Sequence, residues 1–430
     1  MPSILTHLGL IRFLAVAIGA LLSFVSQPVR AQDFGRDENL DITQTLVSAS
    51  RNLRVVYWNV SNRSHPDISD GDWNIEKSRL VGGKQEGVDI VKIHNGEMEI
   101  TVVPTRGMSI LEVKLDDWRA GWDSPVKEVV HPSFIDLESR GGLGWLEGFN
   151  EWMTRCGLEF AGHPGEDSFI NNVGDEVSMP LTLHGRIGNI PASEVILYVE
   201  REPRPRIRLR GRVDERAFYG AQLELWTELI VEIGANTFTI RDEVTNMGAS
   251  EQEFQLIYHT NFGEPLLEDG ARFVAPIEKV APMNEHAAQA IDAFSVYPEP
   301  TPGFIEEVFL IWPYADPQNR TRVALVDRNS ERAVSMEWSL DQLPYLTQWR
   351  NTPAVEAGYV TGIEPGTGFP YNRKVERGFG RVPKLGKGET AEFEVRFGFW
   401  EGANQVEAIV GAVESIQGDR ATTELPVPTW

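Results

Sequence analysis

The sequence predicts an all-β protein, a large antiparallel β-sandwich with few short helices, and three observations carry that expectation. Residues 223–233 alternate without a break: Leu223, Leu225, Thr227, Leu229, Val231 and Ile233 share one face, and Glu224, Glu228 and Glu232 lie on the other. A period of two over that length means a long strand with one wet face. The same habit returns at Ala391, Phe393, Val395, Phe397 and Phe399, whereas helical periodicity is scarce. Many strands with one polar face need a second sheet to cover the other.

Along the chain, residues 1–31 read as a signal peptide. Arg12 precedes the apolar run 13–25, and Val29-Arg30-Ala31 offers small residues at the offsets a signal peptidase requires. The run is shorter than the ~20 residues of a spanning helix, so cleavage after Ala31 is expected rather than an anchor. Export to a bacterial periplasm follows as the expected location, since a lone cysteine does not suit a disulfide-rich secretory setting. Residues 32–96 read as an N-terminal elaboration packed on the main domain, with an acidic stretch at 33–41, an apolar-periodic piece at 46–53 and a first strand at 55–60. Residues 97–400 read as the sandwich domain. Within it, 98–103, 108–115, 194–199, 207–213 and 237–245 are strand-like, and 123–172 is crowded with Gly, Trp, Glu and Arg as long loops that line a site are. Residues 401–430 read as a helix at 404–416, with Val406, Ile409, Val410 and Val413 on one stripe, and a tail.

Composition narrows the function. A chain of 430 residues that is 41% apolar can bury a large core. A formal net charge of −23 argues against nucleic acid and anionic membranes, which need basic patches. The single Cys156 excludes an internal disulfide and a cysteine-built zinc site. There is no G-x-S-x-G, phosphate-binding glycine loop or dinucleotide fingerprint.

The stretch 361–370, T-G-I-E-P-G-T-G-F-P, puts Glu364 among apolar and small residues with no charged neighbour. It reads either as a carboxylate aimed into a pocket or as a turn whose glutamate binds nearby backbone N–H groups. His184 and His259 each end an apolar run beside small or polar residues. Each is a cleft histidine or a hydrogen-bonded core histidine. His163, in A-G-H-P-G, is ambiguous. Arg155, a lone cation among Trp152, Met153, Cys156 and Leu158, needs a ligand or a partner if buried, with Glu151 or Glu159 as the nearest candidates. Trp349 offers a flat face to a sugar ring or to the core. A metal bound by His163, His184, His259 and Glu364 is disfavoured because no short ligand spacing occurs.

In their order, these segments resemble the aldose 1-epimerase (galactose mutarotase-like) superfamily, nearest its hexose-phosphate mutarotase-like branch. T-R-C-G-L at Arg155 is similar to a segment that supplies a sugar-binding arginine, and L-H-G-R-I-G-N-I-P at His184 to one whose histidine binds the sugar. Y-H-T-N-F at His259 resembles the motif of the general acid. I-E-P followed by F-P at Glu364 resembles the block of the general base, and 346–349 the short strand before it. The resemblance covers roughly 97–400. Arg186 and Asn261 stand where an aromatic is usual, and the family's additional sugar-binding aspartate has no placed counterpart.

The resemblance implies an isomerase that interconverts the anomers of an aldose or sugar derivative, with Glu364 as an ionised base and His259 as the acid. It implies His184, Arg155, Trp349 and Arg186 as substrate-binding residues and no metal or organic cofactor. The implied partner is a small sugar, with no nucleic acid and no membrane after signal cleavage. Two other functions fit the same pattern: a non-catalytic carbohydrate-binding protein, and a polysaccharide lyase or hydrolase with Glu159 or Glu147 as a second carboxylate.

Overall fold

The computed structural model describes residues 40–429. The expected signal peptide lies outside the described residues.

Among the described residues, beside two small two-stranded sheets, two large ones of ten and thirteen strands dominate. In the first, Gln222–Glu232 alternates buried and half-buried residues from end to end, with Leu223, Leu225, Thr227, Leu229 and Val231 inward. It pairs antiparallel with Arg206–Arg216 and Thr237–Asn246, and the latter with Thr390–Glu401. The outward residues form a ladder of opposite charges, such as Arg208 Nη2 to Glu228 Oε1 at 2.7 Å. This is the expected sandwich strand with one wet face.

The inward faces of the two sheets meet in one apolar core. Trp152 is one of its anchors: fully buried, it packs edge-on against Phe397 at 5.0 Å and Phe262 at 5.9 Å between ring centroids. Such close-packed aromatics bury much area and fix the spacing of the sheets.

The described residues before the expected sandwich domain contribute strands to both sheets. Leu40–Ser48 pairs with Glu194–Glu200 near one edge of the ten-stranded sheet, and Trp58–Ser61, Asn74–Arg79 and Asp89–His94 extend an edge of the other. The expected C-terminal helix spans Ala403–Gln417. Its Val406, Ile409 and Val413 cover Ala324, Val326 and Ala333. The tail adds a short parallel pairing, Lys279 with Thr423.

Candidate active site

Four neighbouring strands of the thirteen-stranded sheet build the site, in the spatial order Tyr345–Asn351, Val360–Gly366, Gln255–Phe262 and Met153–Leu158. Register does the placing. Thr347 pairs with Glu364, and His259 with Thr154. Because Ile257 pairs with Gly366 and Thr260 with Ile363, His259 falls opposite Glu364. Residues opposite one another on antiparallel strands share a face at close range. The Nε2 of His259 accordingly lies 3.3 Å from the Oε1 of Glu364.

Gly362 makes this contact possible. It lies on the same face two residues before Glu364, and a Cβ there would come within 2.3 Å of that same Oε1.

His184 arrives from outside the four strands. It adopts a left-handed backbone (φ 59°), followed by Gly185 at φ 71°, where a Cβ would lie 2.1 Å from the Phe160 carbonyl oxygen. Its Nδ1 donates to the Ala161 carbonyl at 3.1 Å, which leaves Nε2 free. Its ring centre lies 5.1 Å from that of His259. The loop before Met153 supplies Trp145 and Phe149. These rings sit 5.8 and 5.3 Å from His259, and Trp349 closes a third side at 5.6 Å. The Nε1 of Trp349 donates to the Oε2 of Glu306 at 2.9 Å.

Together these groups enclose a cavity of about 310 Å³, bordered also by His163 and Thr347. That size lies at the lower end of the roughly 300–1,000 Å³ of small-molecule sites, so it suits one sugar ring. His259 and Glu364 are each only 3% exposed yet both border the cavity.

Burial governs their charge. It pushes the Glu364 carboxyl up to about 8, with Glu306 adding to the effect, and pushes His259 down to about 4 against an opposing contribution from Asn261. His184 is held well below the usual histidine range, by burial first and then by the neighbouring His259. Desolvation disfavours whichever form is charged. Burial thus favours the uncharged form of both groups, a protonated carboxyl beside a neutral imidazole, where an ionised Glu364 is expected from the sequence.

Glu364, His259, His184 and Trp349 thus meet at one cavity, and two expected residues do not. Arg155 pairs with Tyr258, one position out of step with the Thr154–His259 pair, so its side chain leaves the opposite face of the sheet. There its guanidinium holds Asp242 of the other sheet, Nη2 to Oδ1 at 2.9 Å, and Thr227. It is a bridge between sheets and not a sugar ligand. Neither anticipated partner is involved, since Glu151 pairs with Arg106 and Glu159 with Arg186.

Arg186 is likewise turned away. It binds Glu159 at 3.1 Å, lies over the Phe160 ring and borders a separate hollow of about 780 Å³. Glu147 accepts from the Ser139 hydroxyl, and neither Glu147 nor Glu159 borders the cavity. The second carboxylate there is Glu306, which sequence reasoning missed along with Trp145, Phe149 and Thr347. The Gly- and Trp-rich 123–172 region signalled the two aromatics collectively, while Glu306, in G-F-I-E-E-V, carried no signal. Among the described residues no cluster of three or more His, Cys, Asp or Glu side chains could hold a metal ion.

Comparison with known proteins agrees with this architecture. The family model described as a domain of unknown function, DUF4432, matches residues 85–399. A solved Klebsiella pneumoniae protein, provisionally named an aldose 1-epimerase, is 42% identical with a TM-score of 0.85, covering 90% of this chain and 98% of its own. A provisionally named aldose 1-epimerase of Escherichia coli K12 is 16% identical (TM-score 0.51; 73% of this chain, 100% of that one) and shares the fold. So does a galactose mutarotase-like protein of Clostridium acetobutylicum, 16% identical (TM-score 0.53; 76% and 98%). None of the curated proteins compared matches the chain.

Proposed function

From the premise that this chain belongs to the DUF4432 family and has a galactose mutarotase-like fold, we propose that it interconverts the anomers of an aldose by acid–base ring opening. The observation that carries this reading is the contact of Glu364 with His259 at 3.3 Å on the border of a sugar-sized cavity. Between about pH 4 and 8 the two groups hold one labile proton between them. Anomerisation needs one proton removed from the C1 hydroxyl and one delivered to the ring oxygen, which such a pair can do without net change.

The neutral His259 takes the proton from the C1 hydroxyl as the bond from C1 to the ring oxygen breaks, and Glu364 gives its proton to that oxygen. The open-chain aldehyde turns about its C1–C2 bond. Reverse transfers then close the ring on the other face and restore both residues. His184 presents Nε2 to a sugar hydroxyl, Glu306 accepts from another, and Trp145, Phe149 and Trp349 cover the C–H faces of the ring and exclude water.

The test is exchange between anomers, followed by NMR for a panel of aldoses, with wild type and Glu364→Gln. Catalysis in the wild type that the substitution removes supports the reading; equal rates in both remove Glu364 from the mechanism.

One observation favours a second reading, glycoside hydrolysis: Glu306 brings a second carboxylate to the cavity that holds Glu364. Glu306→Gln separates the two. A hydrolase loses turnover of aryl glycosides, whereas an anomerase keeps its kcat and shows a raised KM.

A further inference from the structure

The cavity's polar groups are few, and several are committed. Under the anomerisation reading, on which this inference rests, Glu364 and His259 are reserved for the C1 hydroxyl and the ring oxygen. One nitrogen of His184 is spent on the Ala161 carbonyl, and the indole N–H of Trp349 on Glu306. The three aromatic rings suit the C–H faces of any pyranose and do not discriminate among sugars.

Two further polar groups border the cavity: the His163 ring, and the Thr347 hydroxyl, which is buried without a partner on the residue paired in register with Glu364. The rest of the lining is aliphatic: Leu143, Leu146, Leu183, Val308, Pro164 and Pro370. Its backbone is largely occupied as well. The Leu143 N–H donates to Ser139, the Leu146 N–H to the Leu143 carbonyl and the Leu183 N–H to Gly142. The Pro370 carbonyl accepts from His163, and that of Val308 from Met283. Neither proline has an N–H to offer. A hydroxymethyl group turned toward this wall would lose its water and find no partner, while a methyl group would gain by burial.

We propose that the cavity takes a 6-deoxy sugar, with its methyl group against the aliphatic wall, in preference to the parent hexose. A methyl in place of a CH2OH removes the one sugar hydroxyl that this wall cannot satisfy. Discrimination by a missing partner for a buried polar group is larger than that from size alone, so a preference of about tenfold or more in kcat/KM is expected.

The experiment compares 6-deoxygalactose with galactose and 6-deoxymannose with mannose, each in both enantiomeric forms, by NMR exchange with the full chain. At least one deoxy sugar should exceed its parent about tenfold, and Leu143→Asn, which puts a hydrogen-bonding group on the wall, should shrink that ratio. Parents equal to or better than their deoxy forms in every pair overturn the inference. Binding is read in parallel through quenching of tryptophan fluorescence, since Trp145 and Trp349 border the cavity. Tighter binding of a deoxy sugar without any anomerisation keeps the inference and overturns the catalytic reading. Absence of binding by every sugar overturns the inference itself.

Discussion

Arg155 of one sheet and Asp242 of the other are joined through a guanidinium–carboxylate pair with almost no exposed surface, and the Tyr258 hydroxyl donates to the same carboxylate at 2.8 Å. Removing one member of a buried pair leaves the other charge uncompensated, at a cost of about 3–5 kcal/mol. Arg155→Leu should therefore lower the urea midpoint strongly while the folded fraction keeps its kcat. Arg155→Leu combined with Asp242→Leu should recover much of the loss. A large fall in kcat at unchanged stability would return Arg155 to the substrate.

The expected pH dependence follows from the two shifted groups of the proposed catalytic pair. Below about 4, His259 takes up a proton and no base remains; above about 8, Glu364 loses its own and no acid remains. Activity should be bell-shaped with limbs near those values, which belong to the pair and not to either residue alone. A profile in kcat/KM that stays flat from pH 4 to 9 would contradict this assignment.

The strands behind these two predictions explain what could be read beforehand. Gln222–Glu232 has one wet face, so its alternation was plain. Met153–Leu158, Gln255–Phe262 and Val360–Gly366 are buried at every position, so their residues do not alternate between wet and dry faces to mark which way a side chain points. His259 stood out because it ends an apolar run beside small and polar residues, and Glu364 because a lone carboxylate in such a run needs a reason. Arg155 stood out for the same reason, and only the register with Tyr258 reveals that it faces the other sheet. Glu306 lies just before the Glu307–Pro313 strand, in a polar setting like many surface glutamates, and only the fold brings it to Trp349.

Replacing Glu364 by glutamine should act on rate and stability in opposite senses. The loss of the acid should cost on the order of 10²–10⁴-fold in kcat. Its folded-state pKa is raised from 4.5 to about 8, so the stability its protonated form contributes is fully present below 4.5. That contribution is lost as pH rises through about 8. Glutamine has no proton to lose. Wild type should fall in urea midpoint between pH 6 and 9 by more than Glu364→Gln does, and parallel curves would show that the carboxyl is not held neutral.

Gly362→Ala separates the geometry of the pair from its chemistry. The new Cβ would lie 2.3 Å from Glu364 Oε1 and 3.3 Å from the Trp349 ring, and no positive φ makes alanine strained there. The atom in the way is the far end of a flexible side chain, so the fold can adapt by letting the carboxyl swing aside at little cost in stability. That swing takes Glu364 out of reach of His259, and a misplaced proton donor is expected to cost on the order of 10²-fold in kcat. Both reacting residues are still present, so the high-pH limb should move toward the ordinary carboxylate range as the displaced group meets water. Wild-type kcat with an unmoved limb in Gly362→Ala would show that the close contact at 3.3 Å is not what catalysis uses.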